Sequence, residues 1–235
     1  MFIVFKMCTL TLLFCTIAMI VNLNFISLNI RRGFTNKIDG IMNSFGDSHI
    51  IGLQETAKVD TNFINQLNRN SEYFYYVSNG ENTCKGVITM VSKEFKDITL
   101  INVPEHCTGR LLHVSFKHED CIYHVLNIYS PTRNMREQNV FYIDLLKYCE
   151  TIKNNTDRYI LLGDFNHVET ILDTKNRNYD IAENINYTLH KIYQVLEVVD
   201  SYREKYQNKK SYTFSNTRGH ATRIDKVCVP KKFSK

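Results

Sequence analysis

The pattern of apolar and polar positions predicts many strands with few helices between them. Residues 24–30 alternate in polarity and are rich in β-forming side chains, which predicts a strand that ends at Asn29. Residues 35–45 place apolar side chains at helical spacing, and residues 49–55 predict a second strand that ends on Glu55. Because a strand, a helix and a strand follow one another, we expect these strands to pair in parallel in a buried sheet.

The rest of the chain continues this mixture. Between Tyr73 and Tyr129, five β-like stretches are separated by polar turns, which is typical of a meander. Apolar side chains at helical spacing predict helices over residues 134–153 and 183–196. Further strands are predicted at residues 160–163, 212–214 and 223–229. Together these elements indicate an α+β fold in which two packed β-sheets are flanked by helices.

The strand over residues 160–163 is followed at once by a carboxylate and a carboxamide. Asp164 and Asn166 are two residues apart, and such positions point to the same side of extended backbone. Both can therefore face one pocket, where oxygen ligands suit Mg²⁺ and the amide of Asn166 can donate to a phosphate oxygen. A simple turn, in which Gly, Asp and Asn are common, is an equally good interpretation of this stretch alone.

Four other polar residues lie at or near the ends of predicted strands: Asn29, Glu55, Tyr129 and Asp225. Taken singly, the first three have ordinary interpretations. Asn29 could form a turn, Glu55 could lie at a solvated strand edge, and the ring of Tyr129 could simply pack in the core. Asp225 is unusual because an unpaired buried carboxylate is costly, although Arg223 could pair with it on a surface.

The composition is compatible with one folded domain. The chain has 235 residues, and 43% of them are hydrophobic, which is enough for a core. A net charge of +5 and the basic C-terminal third fit a polyanionic partner, and a solvated face with a loose tail fits equally well. Seven cysteines without a C-x-x-C pair or zinc-like spacing favour a reducing compartment.

The N-terminal segment over residues 1–22 has three interpretations. Residues 7–23 are almost wholly apolar and follow Lys6, a pattern typical of a signal peptide or a membrane anchor. No linker separates them from the first predicted strand, so a misplaced start of the gene model is the third. We therefore divide the chain into residues 1–22 and a domain over residues 23–235. A signal or an anchor predicts a secreted or membrane-anchored protein, and a misplaced start predicts a nuclear or cytoplasmic one.

Five short motifs, taken in order, carry a family resemblance. They are Ser27-Leu28-Asn29, Leu53-Gln54-Glu55, Asn127-Ile128-Tyr129-Ser130-Pro131, Leu162-Gly163-Asp164-Phe165-Asn166 and Arg223-Ile224-Asp225. They resemble the endonuclease/exonuclease/phosphatase family, which includes exonuclease III, apurinic endonucleases and DNase I. The resemblance extends over nearly the whole chain, and its C-terminal part looks most like the endonuclease domain of LINE-type retrotransposons.

The resemblance implies a four-layer α/β/β/α sandwich with the active site at one end. Carried over residue by residue, it implies that Glu55 holds Mg²⁺, or Mn²⁺ as an alternative, with Asn29 beside it. Asp164 would orient or deprotonate the attacking water, and Asp225 would orient a histidine. The residues expected to bind the substrate are Asn29, Tyr129, Asn166 and Arg223.

The sequence departs from the family at its end. The family closes with Ser-Asp-His on a late strand, whereas this chain ends at Lys235 without that motif. His220 lies in a Gly-His loop and is a poor substitute, and His167 follows Asn166 directly, where a turn residue is the simpler interpretation. From this we expect a C-terminally truncated domain that lacks its last strand or strands, exposes an unpaired sheet edge and has weak or no activity.

Three functions remain open from the sequence. The first is a Mg²⁺-dependent DNA endonuclease domain of retroelement type, active or decayed. The second is a lipid or inositol phosphate phosphoesterase on the same fold, held at a membrane through residues 1–22. The third is a remnant that binds nucleic acid through its basic C-terminal third without catalysis. The partner common to the first and third is DNA, and no protein partner can be inferred.

Overall fold

A computed structural model of the chain describes residues 15–20, 23–80, 85–132, 134–176 and 178–233. The strands are β1 Cys15–Ile20, β2 Leu23–Asn29, β3 Ile50–Gln54, β4 Tyr73–Ser78, β5 Val87–Ser92, β6 Lys96–Ile101, β7 Leu111–His118, β8 Cys121–Tyr129, β9 Arg158–Asp164, β10 Val198–Asp200, β11 Phe214–Ser215, β12 Ala221–Thr222 and β13 Asp225–Pro230. The helices are α1 Phe34–Phe45, α2 Thr61–Asn70, α3 Met135–Ile152, α4 Glu183–Leu196 and α5 Ser201–Lys205. Short 3-10 turns lie at Glu105–Cys107, Ile171–Asp173 and Lys231–Phe233.

Two mixed sheets form the centre of the molecule. One has five strands in the order β1-β2-β3-β5-β4, and the other has six in the order β10-β13-β9-β8-β7-β6. The pairs β2–β3 and β8–β9 are parallel and the others are antiparallel. The parallel pairing expected for the first two predicted strands is therefore confirmed.

Three apolar clusters show that the sheets are inner layers and the helices outer ones. Residues such as Phe25 and Leu162 fill the space between the two sheets. The outer face of the five-stranded sheet packs against α1 through Ile38 and against α2 through Ile64. The outer face of the six-stranded sheet packs against α3 and α4 through Leu145 and Leu189. The α+β fold with two packed sheets flanked by helices is confirmed.

Polar side chains between the sheets set their relative position. Gln54 Nε2 donates to Asn127 Oδ1 at 2.8 Å, and Asn127 Nδ2 donates to the carbonyl of Ile88 at 2.9 Å. Close approach is possible because Gly52 has no side chain: a Cβ there would lie 2.2 Å from Leu162 Cδ1. These contacts join residues that directly precede Glu55 to the strand that ends in Tyr129.

A second close approach lies within the six-stranded sheet. Gly163 has a φ of 141°, and a Cβ at this position would lie 2.0 Å from the carbonyl oxygen of Ile128 on the neighbouring strand. Only glycine adopts this backbone conformation without strain. Gly163 therefore lets β8 and β9 pair closely just before Asp164.

The N-terminal segment contributes a strand to the sheet. Cys15–Ile20 pairs antiparallel with β2, whereas the uniform apolar run suggested a signal or an anchor. Residues 1–14 and 21–22, which complete that segment, lie outside the described residues. Within the described ranges, every helix is too short or too polar to cross a bilayer.

The sheet edge that we expected to be unpaired is not found at the last strand. β13 pairs with β9 on one side and β10 on the other. The short strand β10 was not predicted from the sequence, because its three residues follow α4 directly. β13 begins at Asp225, two residues later than predicted.

Candidate active site at one end of the sandwich

The polar strand ends identified in the sequence meet at one end of the two sheets. β2 ends on Asn29, β8 on Tyr129 and β9 on Asp164. Asp164 lies in register with Tyr129 on one neighbouring strand and with Asp225 on the other. Because positions two apart share a face, Asp164 follows the inward-facing Leu162 toward the space between the sheets.

Glu55 reaches the same place by leaving extended backbone. Strand alternation would point it outward with Leu53, which packs on the side of α1 and α2. Its φ of 53° lies in the left-handed region, which breaks that alternation just after β3. Its side chain then accepts a hydrogen bond from the amide of Asn29.

One amide holds the two carboxylates together. Asn29 Nδ2 donates to Glu55 Oε1 and to Asp164 Oδ2, both at 2.8 Å. Asn29 Oδ1 accepts from the backbone nitrogen of Arg31 at 3.0 Å, which orients the amide. Both protons of a single nitrogen are therefore used to bring Glu55 and Asp164 to the same point.

The segment after Asp164 turns back on the carboxylate. The backbone nitrogen of Asn166 donates to Asp164 Oδ1 at 2.9 Å, and Asn166 has a left-handed φ of 46°. Its side-chain amide donates to the carbonyl of Ser130 at 2.8 Å. Asp164 thus accepts one neutral donor on each oxygen.

A cavity of about 300 Å³ opens over these side chains. Its wall includes Asn29, Glu55, Asp164, Asn166 and Asp225, with Arg31, Thr132, Tyr179, Thr213, Phe214, Thr222 and Ile224 around them. The predicted strand-end residues, apart from Tyr129, thus line one common depression.

Burial raises the pKa of both aspartates in the cavity. Desolvation and the nearby Glu55 raise the pKa of Asp164 to about 7, although the hydrogen bonds from Asn29 and Asn166 oppose this shift. Burial and then the charge of Asp164 raise the pKa of Asp225 well above its usual range. A carboxyl group with a pKa near neutrality suits proton transfer at physiological pH.

Tyr129 lies under the carboxylates rather than on the cavity wall. It is buried, and Arg110 stacks on its ring at 4.7 Å and donates to its carbonyl oxygen at 3.2 Å. Burial, followed by the charges of Glu55 and Asp164, raises the pKa of its hydroxyl. The hydroxyl therefore keeps its proton and remains a donor.

The donor set fits a hard divalent cation. Among the described residues, no group of three His, Cys, Asp or Glu side chains could hold a metal ion. A cation at Glu55 would therefore be coordinated largely by water, because Asn29 turns its amide nitrogen toward Glu55. Mg²⁺ suits such a site because it prefers oxygen ligands and keeps several waters.

A sequence model of the endonuclease/exonuclease/phosphatase family matches residues 22–234. The chain belongs to this family. Among relatives, the "Transposon TX1 uncharacterized 149 kDa protein" of Xenopus laevis is 30% identical over 154 residues. That match covers 63% of this chain and 11% of the Xenopus protein, so the chain spans only a small part of that relative's length.

Solved structures of other proteins share the fold. An AP endonuclease from Archaeoglobus fulgidus has a TM-score of 0.71 at 18% identity, covering 90% of this chain and 88% of its own. The APE2 catalytic domain of Xenopus laevis has a TM-score of 0.71 at 20% identity, covering 89% and 83%. The 3' phosphatase NExo from Neisseria, bound to product DNA hairpin, has a TM-score of 0.71 at 15% identity, covering 89% and 87%.

Arg223 does not join the other family-motif residues. Its side chain is 1% exposed, and its guanidinium donates to Asp173 Oδ1 and to Asp200 Oδ2, both at 2.6 Å. It precedes β13, so strand alternation does not place it beside Asp225. The prediction that Arg223 binds the substrate is therefore corrected: a guanidinium buried against two carboxylates anchors the segment before β13.

The two histidines near the motifs also lie apart from the cavity wall. His167 is buried and bonds through Nε2 to Asn186 Oδ1 on α4. Burial, followed by the charge of Lys226, lowers its pKa to about 4. His220 is exposed in the turn between β11 and β12. Neither is a lining residue of the cavity.

The sequence analysis missed several residues that support the site. Thr213 Oγ1 accepts from the backbone nitrogens of Ile224 and Asp225, both at 3.0 Å, and so holds the start of β13. Gln138 and Tyr142 on α3 donate to carbonyls of the segment after Asp164. The signal for this role in the sequence was a glutamine one helical turn before a tyrosine, on the largely apolar face of the predicted helix.

Proposed function

We propose that this member of the endonuclease/exonuclease/phosphatase family is a Mg²⁺-dependent phosphodiester hydrolase that acts on DNA, as the endonuclease of a retroelement. The observation that carries the proposal is the bridge from Asn29 Nδ2 to both Glu55 and Asp164. It brings the carboxylate that would bind the metal next to a carboxylate with a pKa of about 7. These are the two acidic functions that hydrolysis of a phosphodiester requires.

Each residue has a defined task in this proposal. Glu55 would hold Mg²⁺ together with water, with Asn29 beside it, and the ion would supply charge that offsets the negative phosphate as its ester bond breaks. Asp164 takes a proton from the attacking water, and the donor from Asn166 N keeps its carboxylate oriented. Asp225, buried beside Asp164, helps set the electrostatics of that carboxylate pair.

Neutral donors are available for the oxygens of the phosphate. The side-chain amide of Asn166 lies at the cavity wall, and Tyr129 is buried in register with Asp164. Arg31 also lines the cavity and adds a positive charge. Donors that meet charge as it develops in the transition state lower the barrier most.

The choice of DNA as substrate is supported by the relatives. NExo is described with a product DNA hairpin, and the Archaeoglobus protein is an AP endonuclease. The relative that is 30% identical is a transposon protein. The net charge of +5 also favours a polyanion.

The test is cleavage of supercoiled plasmid by the full chain with Mg²⁺. We expect weak turnover that EDTA abolishes and that Glu55→Gln reduces by about 10²–10³-fold. Glu150→Gln, on the exposed face of α3, is the matched control and should cleave like the wild type. An inositol polyphosphate assayed in parallel tests the phosphoesterase alternative. Cleavage that survives EDTA or Glu55→Gln would refute the proposal, as would turnover of the inositol polyphosphate alone.

A further inference from the structure

Two buried polar side chains of α3 point at the segment that carries Asp164. Gln138 and Tyr142 lie one helical turn apart, so both face the end of β9. Gln138 Nε2 donates to the carbonyl oxygen of Asn166 at 2.8 Å, and Tyr142 Oη donates to the carbonyl oxygen of Phe165 at 2.6 Å. Their exposures are 9% and 0%.

The carbonyls that they meet lie beyond the sheet ladder. β9 ends at Asp164, so the carbonyls of Phe165 and Asn166 need hydrogen-bond donors elsewhere. The left-handed φ of 46° at Asn166 is also costly for a residue with a side chain. Surrounding contacts must therefore hold this conformation.

The nitrogen atoms of the same turn are also hydrogen-bonded. Phe165 N donates to the carbonyl of Ile224 at 2.8 Å, just before β13. Asn166 N donates to Asp164 Oδ1, and Asn166 Nδ2 donates to the carbonyl of Ser130, just after β8. With the two donors from α3, the turn is tied to three neighbouring elements.

We propose that Gln138 and Tyr142 are positioning residues for the active site. They hold the Asp164–Asn166 turn in the one conformation in which the nitrogen of Asn166 reaches the Asp164 carboxylate. Neither side chain lines the cavity, so both act through the turn. Their effect on turnover rests on the proposed function, whereas their effect on the turn does not.

The helix itself offers a matched control. Tyr148 is also a buried tyrosine of α3, and its hydroxyl bonds to His113 Nδ1 at 2.7 Å and to the carbonyl of Asn102 at 3.3 Å. It lies away from the cavity wall. Tyr142→Phe and Tyr148→Phe therefore delete the same atom from the same helix, with only the first next to the turn.

The first measurement is steady-state cleavage. We expect Tyr142→Phe and Gln138→Met each to lower kcat about tenfold with KM little changed, while Tyr148→Phe keeps the wild-type kcat. Equal losses from the two tyrosine variants would overturn the proposal.

The second measurement does not need activity. Amide hydrogen exchange at Asn166 reports its bond to Asp164, and we expect faster exchange in Tyr142→Phe and Gln138→Met than in Tyr148→Phe. Unchanged exchange at Asn166 would overturn the positioning role. If the wild type fails to cleave DNA while exchange at Asn166 responds as expected, the proposed function is wrong and the positioning of the turn stands.

Discussion

Two clusters that each contain buried aspartates meet at the start of β13, and they are built differently. The carboxylate cluster contains Asn29, Glu55, Asp164 and Asp225, and neutral amides supply the donors to Asp164. The arginine cluster contains Asp173, Asp200, Arg203 and Arg223, and both arginines donate to Asp173. Only Ile224 separates Arg223 of one cluster from Asp225 of the other.

The pKa shifts of the two clusters are opposite. Burial raises the pKa of Asp164 to about 7, and neutral donors reverse only part of that shift. Burial alone would also raise the pKa of Asp173, but the charge and hydrogen bond of Arg223 outweigh it and lower the pKa. The same residue type, equally removed from water, therefore stabilises the fold where it is paired with a cation and is available for chemistry where it is not.

The largest expected effect is loss of the central cation in the arginine cluster. Arg223→Met leaves Asp200 buried without its arginine and Asp173 with Arg203 alone, so we expect a loss of about 3–5 kcal/mol in the free energy of unfolding. Urea denaturation followed by circular dichroism measures this. A change below about 1 kcal/mol would mean that the cluster is not the anchor that its geometry indicates.

The next effect is a pH dependence that originates in the carboxylate cluster. Because the pKa of Asp164 is higher in the folded chain than in the unfolded one, the folded state binds more protons between about pH 4 and pH 7. Its contribution to the free energy of unfolding therefore falls as pH rises through this window, by about 2 kcal/mol from pH 5 to pH 8. Denaturation at both pH values, in EDTA, measures the fall.

Two variants sharpen the assignment of that slope. Asp164→Asn should reduce it, leaving the part that comes from Asp225, whose pKa is also raised. Asp157→Asn, which removes a carboxylate just before the other end of β9, should leave it in place. If Asp157→Asn flattens the slope as strongly as Asp164→Asn, the titrating group has been assigned to the wrong cluster.

A smaller effect, of opposite sign to the first, is expected from Asp225→Asn. The raised pKa of Asp225 means that ionisation is unfavourable in the fold, so removal of the ionisable group should increase the free energy of unfolding at pH 8. Plasmid cleavage should fall in the same variant, because a site that strains the fold is retained for its function. If Asp225→Asn is less stable than the wild type and fully active, the carboxylate cluster stabilises the fold as the arginine cluster does, and the contrast between them is wrong.

The smallest effect is expected at the edge of the arginine cluster. Arg203 is partly exposed, and Asp173 keeps Arg223 when Arg203 is removed. Arg203→Met should therefore cost less than about 1 kcal/mol. Thermal denaturation beside Arg223→Met gives the comparison, and equal losses would show that the two arginines act as one unit.

Much of the fold and the site followed from local pattern. Strand ends that carry Asn29, Tyr129 and Asp164 were predicted because β-forming or apolar stretches lead directly into these polar residues. The helix over Glu183–Leu196 was predicted with the bounds that the structure has.

Other features depend on contacts that local pattern does not encode. Arg223 was assigned to the substrate because it belongs to the Arg223-Ile224-Asp225 motif, but it precedes the true start of β13 and its side chain is buried against Asp173 and Asp200. The strand Cys15–Ile20 was not predicted, because an apolar run contains no alternation that would distinguish an edge strand from an anchor. The bridging amide of Asn29 depends on Asp164, 135 positions away in the chain.

The glycine before Asp164 has a consequence for how this site can change. A single methyl group at position 163 would meet the carbonyl of Ile128 at 2.0 Å and force apart the strands that end in Tyr129 and Asp164. A substitution of Gly163 would therefore disturb both the pairing of β8 with β9 and the positions of the side chains at their ends. A lineage in which Gly163 has been replaced should already have abandoned the chemistry, even where all the acidic residues survive.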